Sequence, residues 1–428
     1  MRAEPLRILV VSQNYWPDLL AAGQLMTDVC EDLAVLGHEV TVVCGQHDTQ
    51  PRTGSAPRTA TERRNGVRVV RVWSHDVQRK GISERLVHYG SFFASSMISA
   101  LCDEVPDVCL VISSPPLLLG FSGTLLKLLR GVPFVYAVHD LYPDVAYHLG
   151  VLSERSLLAR LIEPSARALY RAASAVITLS TDMRGRLIAK GVSPERIRVV
   201  PNWADPDEIR PIAKDNLFSQ EFPSTCPFVI QYSGNLGLSQ GLEALIGAAR
   251  LLRDLPIAFS FVGDGNARQS LVQLAKEHHL PNVTFAPPQA RTRLSAVLGS
   301  ADVGTVLMRQ GFSGDLVPCK LYGIMASAKP VLAAVEATSE VARVVEQHQC
   351  GWVVAPESPA ALAEGIVTAW RCSEMERTRL GENGRRACIA HYARRSLTLE
   401  YHQVLLSVAK RRGTLASRSE KQPDEFRC

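Results

Sequence analysis

No part of this 428-residue chain offers the roughly 20 uninterrupted apolar residues that a membrane-crossing helix needs. Its most apolar region, VCLVISSPPLLLGFSGTLLKLLRG from Val108, is broken by Pro115 and Pro116 and punctuated by Gly120 and Gly123. The N-terminal MRAEPLRILVVSQ has a short apolar run and no cleavage-type site, which argues against a secretory leader. The ten cysteines include no CxxC pair and no cluster with histidine at metal-ligand spacing, so no metal site is expected. A chain this long needs no disulfide staples, and the thiols are read as reduced, in a cytoplasmic protein. There is no basic arm or stripe: the net charge of +5 is spread evenly, and nucleic acid is not an expected partner. Nucleotide fingerprints are missing too. No GxGxxG follows the first strand, the second ends VVCGQ with no carboxylate for a ribose, and the P-loop pattern is absent. A dinucleotide cofactor is therefore disfavoured, and no cofactor is expected.

What is present is an alternation of apolar strands and amphipathic helices. LRILVVS, a loop, a helix with Met26, Val29, Leu33 and Leu36 on one face, and VTVVC make a βαβ unit, so a parallel sheet follows. Strands continue at VRVVRVW, VCLVIS, PFVYAVH, AVITLS and IRVVP, while the polar stretch Gln46–Gly66 predicts a mobile loop. The pattern restarts at PFVIQYSG and runs through IAFSFVG, VTF, DVGTVLM, PVLAAV and GWVV. The expected fold class is α/β with two Rossmann-like doubly wound domains facing a cleft. The expected divisions are an N-terminal domain over 1–201, a Pro-, Asp- and Asn-rich linker over 202–226 and a second domain over 227–392. A helix over 393–412 returning to the first domain and a disordered tail over 413–428 complete the chain. Ligands in such sheets sit at the carboxyl ends of the strands.

One stretch, GDLVPCKLYGIMASAKPV from Gly314, is unusual. Pro318 predicts a helix start, and Lys320 then sits in the first turn, the wrong place for a cation with respect to the helix dipole. An anion held there by free backbone N–H groups and Lys320 would explain it. His139 and Asp140 in VHDLYPD emerge at the carboxyl end of a buried strand, where a polar pair is more often functional than structural.

Gly23 in the first loop, LGHEVTVV, VHDLYPD, VVPNWAD, YSGNLGLSQG and FVGDGN carry a family resemblance over some 350 residues, about the whole folded chain. The sequence is similar to retaining glycosyltransferases of family 4 with the GT-B fold, in the subgroup of colanic-acid and fucosamine-type polysaccharide enzymes. The resemblance implies a UDP- or GDP-sugar donor and a polyprenyl-linked saccharide acceptor. It also implies peripheral contact with the inner membrane at its cytoplasmic face, and metal-independent chemistry. It implies that His139 and Asp140 stand near the anomeric carbon, and that Gly23 and a basic pair hold the diphosphate. Here the pair is replaced by neutral Asn235 and Gln240, which leaves Lys320 as the candidate for the charge. Gly263, Asp264 and Gly265 would line the nucleotide. The E-x7-E motif falls on Asp315 and Gly323, and Glu340 is a second acidic candidate for the ribose. Arg79, Lys80 and Arg85 ahead of Phe92, Phe93 and Met97 could lie on a membrane, although such an aromatic stripe is more often simply core. The alternative to an enzyme is a non-catalytic scaffold subunit of a polysaccharide assembly complex, which the neutral Asn235, Gln240 and Gly323 would favour.

Overall fold

Continuous Val, Ile and Leu runs such as RILVV and VCLVI form strands buried on both faces, the pattern of a parallel sheet covered by helices. The computed structural model describes residues 4–18, 20–46, 59–75, 82–114 and 117–419 and contains two such sheets. The first is built from β1 (Arg7–Val11), α1 (Ala21–Val35), β2 (Glu39–Gly45), β3 (Thr59–Arg64), β4 (Val67–Val72), α2 (Ile82–Cys102), β5 (Val108–Ile112), α3 (Leu118–Arg130), β6 (Phe134–Val138), α4 (Asp144–His148), α5 (Leu157–Ala172), β7 (Ala175–Thr178), α6 (Thr181–Ala189) and β8 (Ile197–Val199). After α7 (Leu217–Glu221) the second follows: β9 (Phe228–Ser233), α8 (Glu243–Leu251), β10 (Ile257–Val262), α9 (Arg268–Glu277), β11 (Val283–Ala286), α10 (Leu294–Gly299), β12 (Val303–Leu307), α11 (Lys320–Ala326), β13 (Val331–Ala334), α12 (Glu340–Gln347), β14 (Gly351–Val354), α13 (Pro359–Arg371) and α14 (Glu374–His391). The chain then enters α15 (Arg394–Ser419).

The first sheet has the order β3-β4-β2-β1-β5-β6-β7-β8 and the second β11-β10-β9-β12-β13-β14. α15 packs against α1 and crosses β5, β6 and β7, so the last helix closes one face of the first sheet. α2, α3 and α5 cover the opposite face through Phe92, Leu119, Leu126, Ala166 and Leu169.

Three expectations are corrected. Thr59–Arg64, inside the stretch predicted as a mobile loop, is a strand antiparallel to β4. The turn is Asn65-Gly66 with φ of 44° and 83°, and an Asn-Gly pair with positive φ at both positions is the hairpin chemistry that favours this pairing. Residues 47–58 of that stretch lie outside the described residues. The last helix continues to Ser419 rather than stopping at Arg412. Gly413 costs about 1 kcal/mol against alanine inside a helix, which neighbours of good helix propensity absorb. Finally, α11 begins at Lys320 with Cys319 as its N-cap, so Pro318 stands just outside the helix rather than at its first position. The remainder of the expected tail, 420–428, lies outside the described residues.

An ion network joins the two halves at the hinge. Asp28 on α1, 3% exposed, accepts two hydrogen bonds from Arg291 at 2.8 and 3.1 Å and one from the Trp203 indole at 3.0 Å. Arg394 reaches the same carboxylate at 3.1 Å and also pairs with Asp32 at 2.8 Å. A carboxylate so deeply buried persists only because each oxygen has a charged or polar partner.

Candidate active site

The carboxyl ends of β9 and β10 are locked into a single platform. Gly234 N–H donates to Val262 O at 2.9 Å, and Leu236 N–H to Asp264 O at 2.8 Å. A Cβ on Gly263 would stand 2.0 Å from Gly234 O, and one on Gly265 2.5 Å from Asn235 Oδ1 and Leu236 O. These two glycines, at φ of 141° and 155°, are therefore required by the close approach of the loops. Asp264 caps its own turn by accepting from Gly265 N–H at 2.8 Å. Asn235 and Gln240 converge over Gly237, whose Cβ would meet Asn235 Nδ2 at 2.9 Å and Gln240 Oε1 at 2.7 Å. The Gln240 Oε1 atom is buried without a hydrogen-bond partner. Arg309, at the end of β12 beside this loop, is held by Glu243 at 3.3 Å and Glu357 at 3.9 Å.

Lys320 lies over the start of the same loop. Its ammonium sits 4.6 Å from the centre of the Tyr232 ring, and its Cε is 3.3 Å from where a Gly234 Cβ would be. Among the described residues it forms no ion pair with a carboxylate, unlike Arg309. α11 is only seven residues long, so its dipole is weak and the attraction for an anion comes from the Lys320 charge itself. Burial raises the pKa of the Tyr232 hydroxyl, against the pull of Lys320, and that hydroxyl donates to Asn235 O at 2.7 Å. Sequence reasoning missed Tyr232, because nothing in YSGN distinguishes a platform ring from a core tyrosine.

On the facing edge, β6 delivers His139 and Asp140. The His139 N–H donates to Ser113 Oγ at 2.9 Å, fixing the backbone where the strand ends. The imidazole is buried, with Nε2 3.4 Å from the Tyr401 hydroxyl of α15, and burial lowers its pKa to about 4. It is thus a neutral hydrogen-bonding group near neutral pH, turned toward α15. Burial raises the Asp140 carboxyl to about 6. The Cys319 thiol, raised by burial, is pulled down by Lys320 and pushed up by Asp140, so it feels the charges of both domains. Gly23 is buried two strands away in the first turn of α1, where a Cβ would press on Asn14 and Asp18 at 3.2–3.3 Å. Its small size is accounted for by that packing.

Asp315 and Glu340 each form ion pairs within the protein. Asp315 is fully buried, pairs with Arg186, and meets His148 Nδ1 at 2.5 Å. Burial pushes this carboxyl up to about 6 against the pull of both partners. Around it Leu141 N–H donates to Asp315 O at 2.8 Å, Arg186 to Ser313 O at 2.7 Å and Asn202 to Val317 O at 3.1 Å. The segment leading into Lys320 is therefore strapped to the first domain beside Asp140, which bridges Leu316. Arg186→Ala should lower stability in chemical denaturation by about 2 kcal/mol, since the buried carboxylate then keeps only His148. Glu340 pairs with Arg343 at 2.8 Å, and Arg343 with Asp182 of α6 at 2.5 Å, a second strap between the domains. At Gly323 a Cβ would meet only Leu298 and Ile209 methyl groups at 3.6 and 3.9 Å. Gly323→Ala should therefore raise stability by about 0.5–1 kcal/mol, read from a denaturant midpoint at unchanged slope.

Phe92 is fully buried, Met97 is 5% exposed and Phe93 packs against the core, so the aromatic stripe of α2 is core, not a membrane face. Arg79 and Lys80 lie outside the described residues, as does the side chain of Arg85. Among the described residues no group of three or more His, Cys, Asp or Glu could hold a metal ion.

Two domains built on largely parallel sheets, with the last helix crossing back onto the first, have the architecture of the GT-B fold. Residues 21–203 match the model of the glycosyl transferase 4-like domain and residues 213–387 that of the glycosyl transferases group 1. The chain is 31% identical over 372 residues to WcaI of Escherichia coli, named for glycosyl transfer in colanic acid biosynthesis, covering 84% of this chain and 91% of that one. It is 30% identical over 261 residues to the glycosyltransferase WbjE of Pseudomonas aeruginosa, covering 61% and 65%. Among solved structures it resembles Anabaena HepE in complex with UDP-glucose, at 17% identity and a TM-score of 0.71, over 94% of this chain and 100% of that one. The chain belongs to the family 4 glycosyltransferases, and it is a glycosyltransferase of polysaccharide biosynthesis.

Proposed function

We propose that this enzyme moves a sugar from a UDP- or GDP-sugar onto a lipid-linked saccharide at the cytoplasmic face of the inner membrane, with retention of anomeric configuration. The observation that carries this reading is Lys320, a cation without an acidic partner among the described residues, resting on Tyr232 at the edge of the β9–β10 platform. It supplies the charge that the neutral Asn235 and Gln240 do not, and it faces the diphosphate as the glycosidic bond to phosphate breaks. Gly23 lets backbone N–H groups of the other domain approach the same phosphates, and Gln240 and Asp264 border the nucleotide. The acceptor hydroxyl attacks on the face from which the phosphate leaves. Its proton passes to a leaving phosphate oxygen, so no side-chain base is needed. Asp140 stabilises positive charge at the anomeric carbon, and neutral His139 positions the strand end that presents Asp140. That HepE holds UDP-glucose supports a nucleotide-sugar donor of this kind.

The test is a melting-temperature shift with UDP, GDP, dTDP, ADP and CMP at millimolar concentration. A ligand at a hundredfold excess over Kd stabilises by about 2.7 kcal/mol. A shift with UDP or GDP that disappears in Lys320→Ala supports the reading. Silence with every nucleotide would transfer the case to the scaffold, which the uncharged Asn235, Gln240 and Gly323 favour.

A further inference from the structure

The outer edge of the first sheet carries a concavity of its own. β3 ends the strand order, and α2 packs on the sheet beside it against β2 and β4. Between β3 and α2 runs a groove of about 670 Å³, with Thr59, Thr61 and Val70 on the strand side and Ser91, Ser95 and Ser99 on the helix side. Trp73 stands at one end, and the Arg68–Asp103 ion pair, at 2.6 Å, at the other. The strand side, from Arg68 to Trp73, is about 17 Å long, and the helix side, from Ser91 to Asp103, about 18 Å. The Trp73 end opens toward the catalytic cleft, because Trp73 directly follows β4, at the same edge of the parallel sheet where β1 ends. His88 ties the two loops together: it donates to His75 O at 3.0 Å and accepts from the Gln13 amide at 2.5 Å.

We propose that this groove is a saccharide-binding site, which holds the neutral sugar units of the acceptor that lie beyond the reacting one. The inference rests on the saccharide acceptor of the reading above and extends it to a surface outside the cleft. The lining selects the ligand. Serine and threonine hydroxyls both donate and accept, as the hydroxyls of a sugar do. Among the described residues Thr59, Thr61, Ser95 and Ser99 spend no side-chain hydrogen bond within the chain, so their hydroxyls are open to a ligand. Ser91 is engaged differently. It accepts from His75 N–H at 2.8 Å and donates to His88 O at 2.9 Å, which fixes the segment after Trp73 against α2. The Trp73 indole, 40% exposed, offers a rigid apolar face to the C–H side of a sugar ring. Charge excludes the other ligands of this enzyme class. Arg68 and Asp103 cancel, and among the described residues no other charged side chain lines the groove, so it has no pull for a phosphate. The length suits several sugar rings in line rather than one.

Cys102, exposed and lining the groove toward its Asp103 end, reports occupancy. Its alkylation by iodoacetamide, followed by mass spectrometry of the peptides, should slow with millimolar neutral tetrasaccharides of glucose, mannose or galactose, and less with the matching disaccharides. Cys372, outside the groove, should react at an unchanged rate. Trp73→Ala should weaken the protection constant about tenfold. Ser95→Trp, which fills the groove, should abolish the difference between reactions with and without sugar. Lys320→Ala, in the other domain, should be protected as the native protein is. Native Cys102 that reacts equally with and without every tetrasaccharide overturns the proposal, and so does a Trp73→Ala variant of full affinity. Protection by a serine- and threonine-rich peptide instead of any sugar also overturns it, because the groove then serves a strand-forming partner at the edge of β3. No nucleotide or lipid enters this assay. The nucleotide-dependent melting shift should be unchanged in Trp73→Ala, so the groove and the donor reading can fail separately.

Discussion

Lys320→Ala should cut turnover with the nucleotide sugar about 10²–10³-fold while leaving the melting temperature of the unliganded protein nearly unchanged. The two halves of that expectation have separate causes. For stability, the weak dipole of the seven-residue α11 disfavours a first-turn lysine by only about 0.3 kcal/mol, and its approach to the Tyr232 ring returns about 0.5 kcal/mol. The terms offset, because neither depends on a buried ion pair that truncation would leave uncompensated. For activity no such offset exists, since Arg309 is committed to Glu243 and Glu357, and Asn235 and Gln240 carry no charge. Ligand discrimination sharpens the test: the variant should lose affinity for UDP or GDP while its affinity for the bare nucleoside is preserved. Equal losses for diphosphate and nucleoside would place Lys320 away from the phosphates, and unchanged kinetics would remove it from the site.

The strands, their order of appearance and the loops at their carboxyl ends were legible because each depends on residues adjacent in sequence. VCLVI must be buried on both faces whatever surrounds it, and GNLGLSQG must be a loop. What was not legible depends on partners far away in the chain. Asp315 reads like a ribose ligand until Arg186 and His148, 129 and 167 residues distant, take both its oxygens. Glu340 likewise acquires its meaning from Arg343 and, through it, from Asp182. Gly263 looks like a nucleotide glycine, yet its requirement comes from the Gly234 carbonyl of the neighbouring loop. The exposed Leu157, Leu158 and Leu161 of α5 could not be told from its buried Leu169, because LLARLIEPSARALYRA has apolar residues on more than one face and only packing decides which face is covered. Conversely, the Asn65-Gly66 hairpin was present in the sequence as a local signal, and a polar stretch concealed the strand before it.

Asp140→Asn should move stability and activity in opposite directions, and pH should separate them. Burial raises the native carboxyl to about 6 from an ordinary value of 3.8, so the folded state binds its proton more tightly than the unfolded chain does. The contribution of that proton to stability is therefore complete below pH 3.8 and is lost as pH rises through about 6. Above that, ionised Asp140 costs the fold up to about 3 kcal/mol. Asparagine fills nearly the same space, leaves the Ser113 and Leu316 backbone contacts in place, and carries no charge. The variant should consequently melt higher than the native protein at pH 8, with the difference closing as pH falls toward 4. Its turnover should nevertheless fall about 10²-fold, because the negative charge facing the anomeric carbon is gone. The native enzyme should lose activity as pH drops through about 6, and the variant should lack that acidic limb. A variant that is less stable at pH 8, or that retains the limb, would assign the ionisation to another group. A raised melting temperature with intact turnover would leave Asp140 a strained carboxylate without a part in the chemistry. The expected combination, a more stable and slower enzyme only where the carboxyl is ionised, identifies a charge that the fold carries at a cost because the transfer reaction needs it.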